Sequence, residues 1–331
     1  MFSYLRPNAI RLQSSHASEK PLYHKPAGTL AVEQFTTQLD LFLDSRSVVL
    51  TNEAIAALAA RDAERAASSI GELRNLGPED PNLPTLDTLA SALKQWCKPA
   101  PDRAAIARSA SWLDDAIAPA ASRVLGGAAA AFMGAFFRDL AEVARGLAYE
   151  PTRPAAYRAS LCLRCGEWAE AEEAALAIPR PQQCPDALHW VCIARYRSFG
   201  LTLARSALFA LAWHEPQRLA RLLGELGDES VEQDWQTFEC ASDWGSVEET
   251  QLPAWFPAWY LLQHPGMGTE LHDVVFPDTQ PAQAARLVLH LIELERQGNW
   301  RKLTVQREQL RQMNPDLFAL YMGQRSVRYL L

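Results

Sequence analysis

Regular alternation of polar and apolar residues is missing from this sequence, and with it the usual signature of β-strands. No stretch shows sustained period-two alternation between hairpin dipeptides, so we expect no β-sheet. The motifs GxSxG and GxxxxGK[ST] are also missing, and no GxGxxG follows a strand-like segment. Their absence excludes the usual nucleophile elbow and the usual phosphate-binding loops.

Lysine is scarce: the 331 residues include five lysines, so nearly all of the positive charge is arginine. Asp and Glu outnumber Lys and Arg by 39 to 32, which gives a formal net charge of −7. A general nucleic-acid binder needs a basic surface to neutralise phosphates, so we expect no nucleic-acid partner. The preference for arginine, together with abundant alanine, indicates a GC-rich bacterial genome.

The start, Met1-Phe-Ser-Tyr-Leu-Arg-Pro7, lacks a basic segment followed by an apolar one. We therefore expect no secretory signal peptide and a cytoplasmic protein, with its six cysteines present as thiols. Cys162 and Cys165 have the CxxC spacing of a zinc or redox site, but no second CxxC or HxxxH accompanies them. We expect both thiols to lie in a helix core, with no metal and no cofactor.

No apolar run reaches the roughly 18 residues expected of a membrane-spanning helix. The most apolar run extends from Val124 to Phe137, falls short of that length and is bounded by Arg123 and Arg138. The favoured interpretation is a buried helix whose small residues allow close approach of its neighbours. The alternative is a membrane-engaging segment over residues 120–140, as in a component associated with secretion or with a toxin.

Apolar residues recur at helical spacing along the whole chain, and glycines and prolines interrupt them at regular places. The segment Gly166-Glu-Trp168 separates two helical runs, and Gly200 separates the next two. A later hairpin repeats the pattern as Gly298-Asn-Trp300, and Pro315 ends its second helical run. These positions predict pairs of helices that recur along the chain.

This pattern resembles the tetratricopeptide repeat (TPR), a unit of about 34 residues made of helix, turn and helix, and Gly166 and Gly200 are one such interval apart. In that unit a glycine ends the first helix, and an aromatic residue two places later fills the gap between the helices. A small residue three places further on, here Ala171, permits close crossing. The copies are degenerate, because Arg205 stands where a small residue belongs and no unit carries every marker.

The sequence therefore predicts an all-α protein with an N-terminal helical bundle followed by an α-solenoid-like array of helical hairpins. Residues 1–28, which show no periodicity, are expected to form an extended arm. Residues 29–118 are expected to form the bundle, and residues 119–331 the TPR-like array with a C-terminal capping helix. Hairpins of this kind stack because one hairpin cannot bury its own apolar face.

The resemblance implies a non-enzymatic scaffold, adaptor or chaperone, because the inner helices of TPR units line a groove that binds a peptide or a partner helix. Carried over by repeat position, the partner-binding residues are Arg153, Ser160, Arg164, Arg195 and Tyr196. The guanidinium groups of this strip would clamp the carboxylates of an acidic or C-terminal peptide. We expect a protein or peptide partner rather than a membrane, and the oligomeric state stays open.

Most of the ten tryptophans are expected to pack between helices, as Trp168 and Trp300 do in the repeat. Trp255 and Trp259 lie near prolines and a loop, so they are the candidates for a surface position. Exposed aromatic residues there would mark a contact site.

Four ionisable residues surround the longest gap in the helical pattern: His264, His272, Asp273 and Asp278. Such a group could bind a metal or act as acid and base. Loop histidines are more often solvated, so we expect no catalytic residues. An enzyme with its site between His264 and Asp278 is the third hypothesis, after a binding protein and a membrane-associated component.

Overall fold

A computed structural model describes residues 46–240, 247–271 and 274–328 of the chain. Helices occupy most of these ranges, and no strand occurs within them. Neighbouring helices pack against each other in pairs along the chain, so the predicted all-α helical array is confirmed. The expected arm, residues 1–28, lies outside the described ranges.

Six helices make up the first half of the described chain. They are α1 (residues 46–59), α2 (Ala63–Leu76), α3 (Leu83–Gln95), α4 (Arg103–Trp112), α5 (Ala118–Leu125) and α6 (Ala129–Val143). A π-helical turn, Leu113–Ile117, joins α4 to α5, and a 3-10 turn, Gly126–Ala128, joins α5 to α6.

Ten further helices follow. They are α7 (Arg158–Cys165), α8 (Trp168–Leu176), α9 (Pro185–Phe199), α10 (Leu201–His214), α11 (Leu219–Leu226), α12 (Glu229–Cys240), α13 (Phe256–Gln263), α14 (Gln280–Gln297), α15 (Trp300–Met313) and α16 (Pro315–Arg328). Short 3-10 segments connect several of them, at Pro154–Ala156, Pro181–Gln183, Pro216–Arg218, Glu249–Trp255 and Pro265–Leu271.

Two hydrophobic cores run along the chain, and α7 contributes to both. Leu161 and Cys162 pack into the first core with α1 to α6, whereas Ala159 of the same helix packs into the second. The first core includes most of α5 and α6, which lie beyond residue 118, the expected end of the N-terminal bundle. The division into domains stays a prediction, but α7 joins the two cores without a gap.

Two of the predicted turns close in the same way. Gly166 ends α7 and Gly298 ends α14, both in the left-handed conformation, with φ of 79° and 69°. At each turn the N–H of the next residue donates to a carbonyl on the last turn of the helix, at 3.0 Å in both cases. This Schellman closure explains why glycine stands at both places, since a side chain is disfavoured at positive φ.

The residues after these glycines match the repeat only in part. Trp168 is partly buried, and its ring lies 3.8 Å from where a Cβ on Gly166 would stand. Trp300, however, is 58% exposed, so the expectation that it packs between helices is wrong. Ala171 and Leu303 occupy the same place in the two hairpins, and both are buried. The position three residues after the aromatic residue is therefore buried between the two helices of both hairpins, although Trp300 does not fill the gap between its helices.

Gly200, between α9 and α10, has φ of 80° and ψ of −174°, a region that is essentially restricted to glycine. Nothing lies within 4 Å of where its Cβ would stand, so Gly200→Ala adds backbone strain without a clash. We expect the free energy of unfolding to fall by about 1–3 kcal/mol, measured by urea denaturation. The matched change Gly224→Ala, within α11 and equally unobstructed, should be neutral or raise it by up to about 1 kcal/mol. Equal losses in both variants would contradict this account.

The apolar run from Val124 to Phe137 is divided between α5 and α6 at Gly126. Gly134 is buried in α6, and its Cβ position lies 3.6 Å from the backbone of Cys165 in α7. The small residue thus allows close approach of two helices, as the favoured interpretation requires. By length and composition one stretch, Arg103–Val143, could cross a membrane, and 44% of its most apolar window is buried inside the protein. Membrane engagement stays the alternative hypothesis.

Candidate partner-binding site

Exposed apolar side chains gather on one face of the second half of the chain. Among the residues whose side chains the structure describes, nine large hydrophobic ones are exposed, and four of them line a single groove of about 490 Å³. We call these four the apolar patch: Leu176, Phe199, Leu203 and Val275. Exposed apolar side chains are ordinary when scattered, but a contiguous group marks a contact surface.

The groove is built by α8, α9 and α10, together with Pro181 and Gln182 of the 3-10 segment after α8 and with residues 274–275. Phe199 is the last residue of α9, so the turn at Gly200 holds it at the mouth of the groove. Val191 and Ala207, on facing helices, are buried and form part of its floor. Phe199 and Leu203 therefore lie on the α9–α10 hairpin and Leu176 ends α8, whereas Val275 lies in the non-helical segment 274–277.

Arg195 supplies the polar edge of the groove. Its Nε donates to Oε1 of Glu172 at 2.7 Å, and its Nη1 donates to the hydroxyl of Ser206 at 3.3 Å. All three residues line the groove, so charge is balanced there and the guanidinium is held in place. The groove offers a partner an apolar surface with one fixed ion pair beside it.

The other residues predicted for an arginine-rich strip do not meet at this groove. Arg164 donates to Oδ2 of Asp114 at 2.8 Å and stacks over Phe137, on the side of the first core. Tyr196 donates its hydroxyl to Asp228 at 3.2 Å. Arg153 is exposed just before a 3-10 turn, and Ser160 is half-buried in α7. Arg164 and Arg195 are both paired with carboxylates of this chain, and a role for the five residues in binding a partner stays a prediction.

Trp255 and Trp259 do not lie at a surface, so that expectation is wrong. Their exposed fractions are 4% and 1%. Both belong to the second core, where Trp259 stacks on Phe256 with ring centroids 6.0 Å apart. The prolines and the nearby loop suggested exposure, but packing of this aromatic segment against its neighbours removes both rings from water.

Cys162 and Cys165 lie within one helical turn of each other at the end of α7. The thiol of Cys165 donates to the carbonyl oxygen of Cys162 at 3.3 Å. A hydrogen bond from Cys162 lowers the pKa of Cys165 to about 7, whereas the same contact and burial raise the pKa of Cys162. In the described ranges no group of three or more His, Cys, Asp or Glu is placed to hold a metal ion.

The loop proposed as an enzyme site shows no convergent cluster in its described part. His264 pairs through Nε2 with Oδ2 of Asp234 at 2.9 Å, and its ring packs 4.4 Å from that of Tyr260. Asp278 accepts a hydrogen bond from Gln283 on α14. His272 and Asp273 lie outside the described residues. A catalytic role for this segment stays the third hypothesis.

Sequence reasoning missed the apolar patch. Leu203 lies on α10, which is apolar on nearly every side, so periodicity cannot show which of its residues remain exposed. Val275 lies far along the chain and reaches the groove only through the fold. The one available signal was Phe199, an apolar residue directly before a glycine turn.

No known protein family, curated protein or solved structure matches this chain.

Proposed function

We propose that this protein is a non-enzymatic scaffold, adaptor or chaperone that holds an apolar segment of another protein against the apolar patch. The observation that carries the proposal is the convergence of Leu176, Phe199, Leu203 and Val275 on one groove. Fully burying a large apolar side chain contributes roughly 1.5–3 kcal/mol, so a partner that covers several of them gains substantial affinity. Three of the four side chains lie on helices, which keeps the cost of ordering this surface low.

A TPR-like repeat is part of the same proposal. The Schellman turns at Gly166 and Gly298 support it, as do the helix starts at Trp168 and Trp300. The groove uses both helices of the α9–α10 hairpin, so an amphipathic helix laid along it would find an apolar floor. The ion pair of Arg195 and Glu172 would fix the polar side of such a helix.

Phe199→Asp combined with Leu203→Asp is expected to abolish partner capture and leave thermal unfolding nearly unchanged. Both side chains are more than half exposed, so the change places charge in the contact surface and not in the core. The measurement is capture by tagged full-length protein from the native cell, compared by quantitative mass spectrometry. A charged patch should repel an apolar partner because its carboxylates would lose their hydration.

Val305→Asp is the matched control, because Val305 is 57% exposed on α15 and lies outside the groove. It should capture the same proteins as the unmodified chain. If the double variant also captures them at unchanged levels, the apolar patch is not the binding site.

A further inference from the structure

A second and larger groove, of about 1140 Å³, lies along the α14–α15 hairpin and is also lined by Pro265, Gly266, Leu271 and Phe276. It is separate from the apolar patch, and the two share no lining residue. Its walls include Leu287, Ile292 and Met313, while exposed polar side chains stand along both helices. The surface is therefore an open trough with a partly apolar base.

Four polar side chains in this trough are uncommitted, and we call them the groove quartet: Arg286, His290, Gln306 and Gln309. Within the described part of the chain, none of the four has a hydrogen bond or an ion pair, in contrast to their polar neighbours. Arg296 is paired with Glu293 at 2.7 Å, and Gln280 donates to the carbonyl of Met313 at 2.8 Å. The quartet thus offers donors and acceptors that the fold itself does not use.

The two halves of the quartet stand opposite each other. His290 on α14 and Gln306 on α15 lie equally far along their helices from the turn at Gly298. Arg286 and Gln309 lie one further helical turn from Gly298 on the same two helices. The trough therefore has two levels along the hairpin: His290 lies across from Gln306 at the level nearer the turn, and Arg286 lies across from Gln309 at the level farther from it.

We propose that this trough binds an acidic peptide segment of another protein in an extended conformation. A guanidinium binds carboxylates through two parallel hydrogen bonds, and Arg286 has no carboxylate of its own chain in the described ranges. A glutamine side chain both donates and accepts, so Gln306 and Gln309 match the N–H and C=O groups of an extended backbone. One level to the next spans about 6 Å along α14 and about 4.5 Å along α15, so about two residues of extended chain cover it.

The charge of the trough favours a peptide over a nucleic acid. Glu293 and Arg296 offset each other, which leaves Arg286 as the one uncommitted guanidinium among the described lining residues. A nucleic-acid backbone is neutralised by several cations along its length, and one free guanidinium does not supply them. The proposal does not depend on the apolar patch, since it uses other helices and other residues.

The test is selection from a random dodecapeptide library displayed on phage, with the full-length protein as target. We expect the enriched peptides to share an Asp or Glu at one position. A labelled synthetic copy of one enriched peptide should then bind at least tenfold more weakly to Arg286→Glu, measured by fluorescence anisotropy. Gln306→Ala with Gln309→Ala should weaken binding severalfold and leave the acidic preference intact.

Arg311→Glu is the control, because it makes the same charge change on exposed α15 surface outside the trough. It should bind within twofold of the unmodified protein, as should the Phe199→Asp and Leu203→Asp double variant. Failure to enrich acidic peptides, equal binding by Arg286→Glu, or equal loss in Arg311→Glu overturns the proposal. Because the apolar-patch variant keeps this binding, failure of one site is distinguishable from failure of the other.

Discussion

Glu295→Ala is expected to lower the free energy of unfolding by about 3–5 kcal/mol, because it leaves a buried arginine without its counter-ion. Oε2 of Glu295, near the end of α14, lies 2.6 Å from Nε of Arg325 on α16. The side chain of Arg325 is 5% exposed, so water cannot replace the lost carboxylate. Urea denaturation followed by circular dichroism measures the change.

The geometry around Arg325 explains why the loss should be large. Its Nε approaches Glu295 outside the angular range of a hydrogen bond, and its terminal nitrogens have no hydrogen-bond partner in the described ranges. The guanidinium stacks 5.0 Å from the ring centre of Tyr321, whose hydroxyl donates to Glu295. Burial and that hydrogen bond raise the pKa of Tyr321 to about 12. Glu295 therefore holds together a cluster that joins the last helix to α14.

Two comparisons separate this effect from a general loss of charge. Glu293→Ala removes a carboxylate from the same helix, but Glu293 pairs with the exposed Arg296, so the expected loss is at most about 0.5 kcal/mol. Glu295→Leu combined with Arg325→Met removes both buried charges and should recover most of the stability. Equal losses in Glu295→Ala and Glu293→Ala would show that the cluster contributes no more than a surface pair.

The sequence could predict the helices because local chemistry determines where they end. Gly166 and Gly298 adopt positive φ, and Gly200 adopts a conformation restricted to glycine, so each interrupts an apolar run at a place that is visible without the fold. The buried character of the run ending at Phe137 was also readable, since small residues in an apolar stretch are typical of close helix contacts. These features depend on residues near one another in the chain.

The sequence could not predict which apolar residues stay in water. Trp259 is buried because rings from α12 and α13 surround it, and Trp300 is exposed because no neighbour covers that side of α15 in the described ranges. Arg164 occupies a predicted groove position, yet its partner Asp114 lies far away in sequence, on the π-helical turn before α5. Such contacts depend on how hairpins stack, which periodicity within one helix does not determine.

Phe256→Ala is expected to lower the free energy of unfolding by about 3–5 kcal/mol, because Phe256 is the centre of the largest aromatic cluster described in the second core. It is fully buried, and its ring contacts four others, with centroid distances between 5.3 and 6.0 Å. These partners are Trp235, Phe238, Trp259 and Tyr260. Removing the ring leaves a cavity that four rigid side chains cannot fill. Thermal and urea unfolding measure the loss.

Phe199→Ala removes the same atoms from a ring that is 65% exposed, so the expected change is within about 0.5 kcal/mol. The two variants together distinguish an aromatic side chain that is packed in the core from one that is exposed and can contact a partner. If Phe199→Ala destabilised the protein as much as Phe256→Ala, the apolar patch would be part of the core in solution and could not receive a partner. If it leaves stability unchanged and weakens capture, Phe199 contributes to binding rather than to folding.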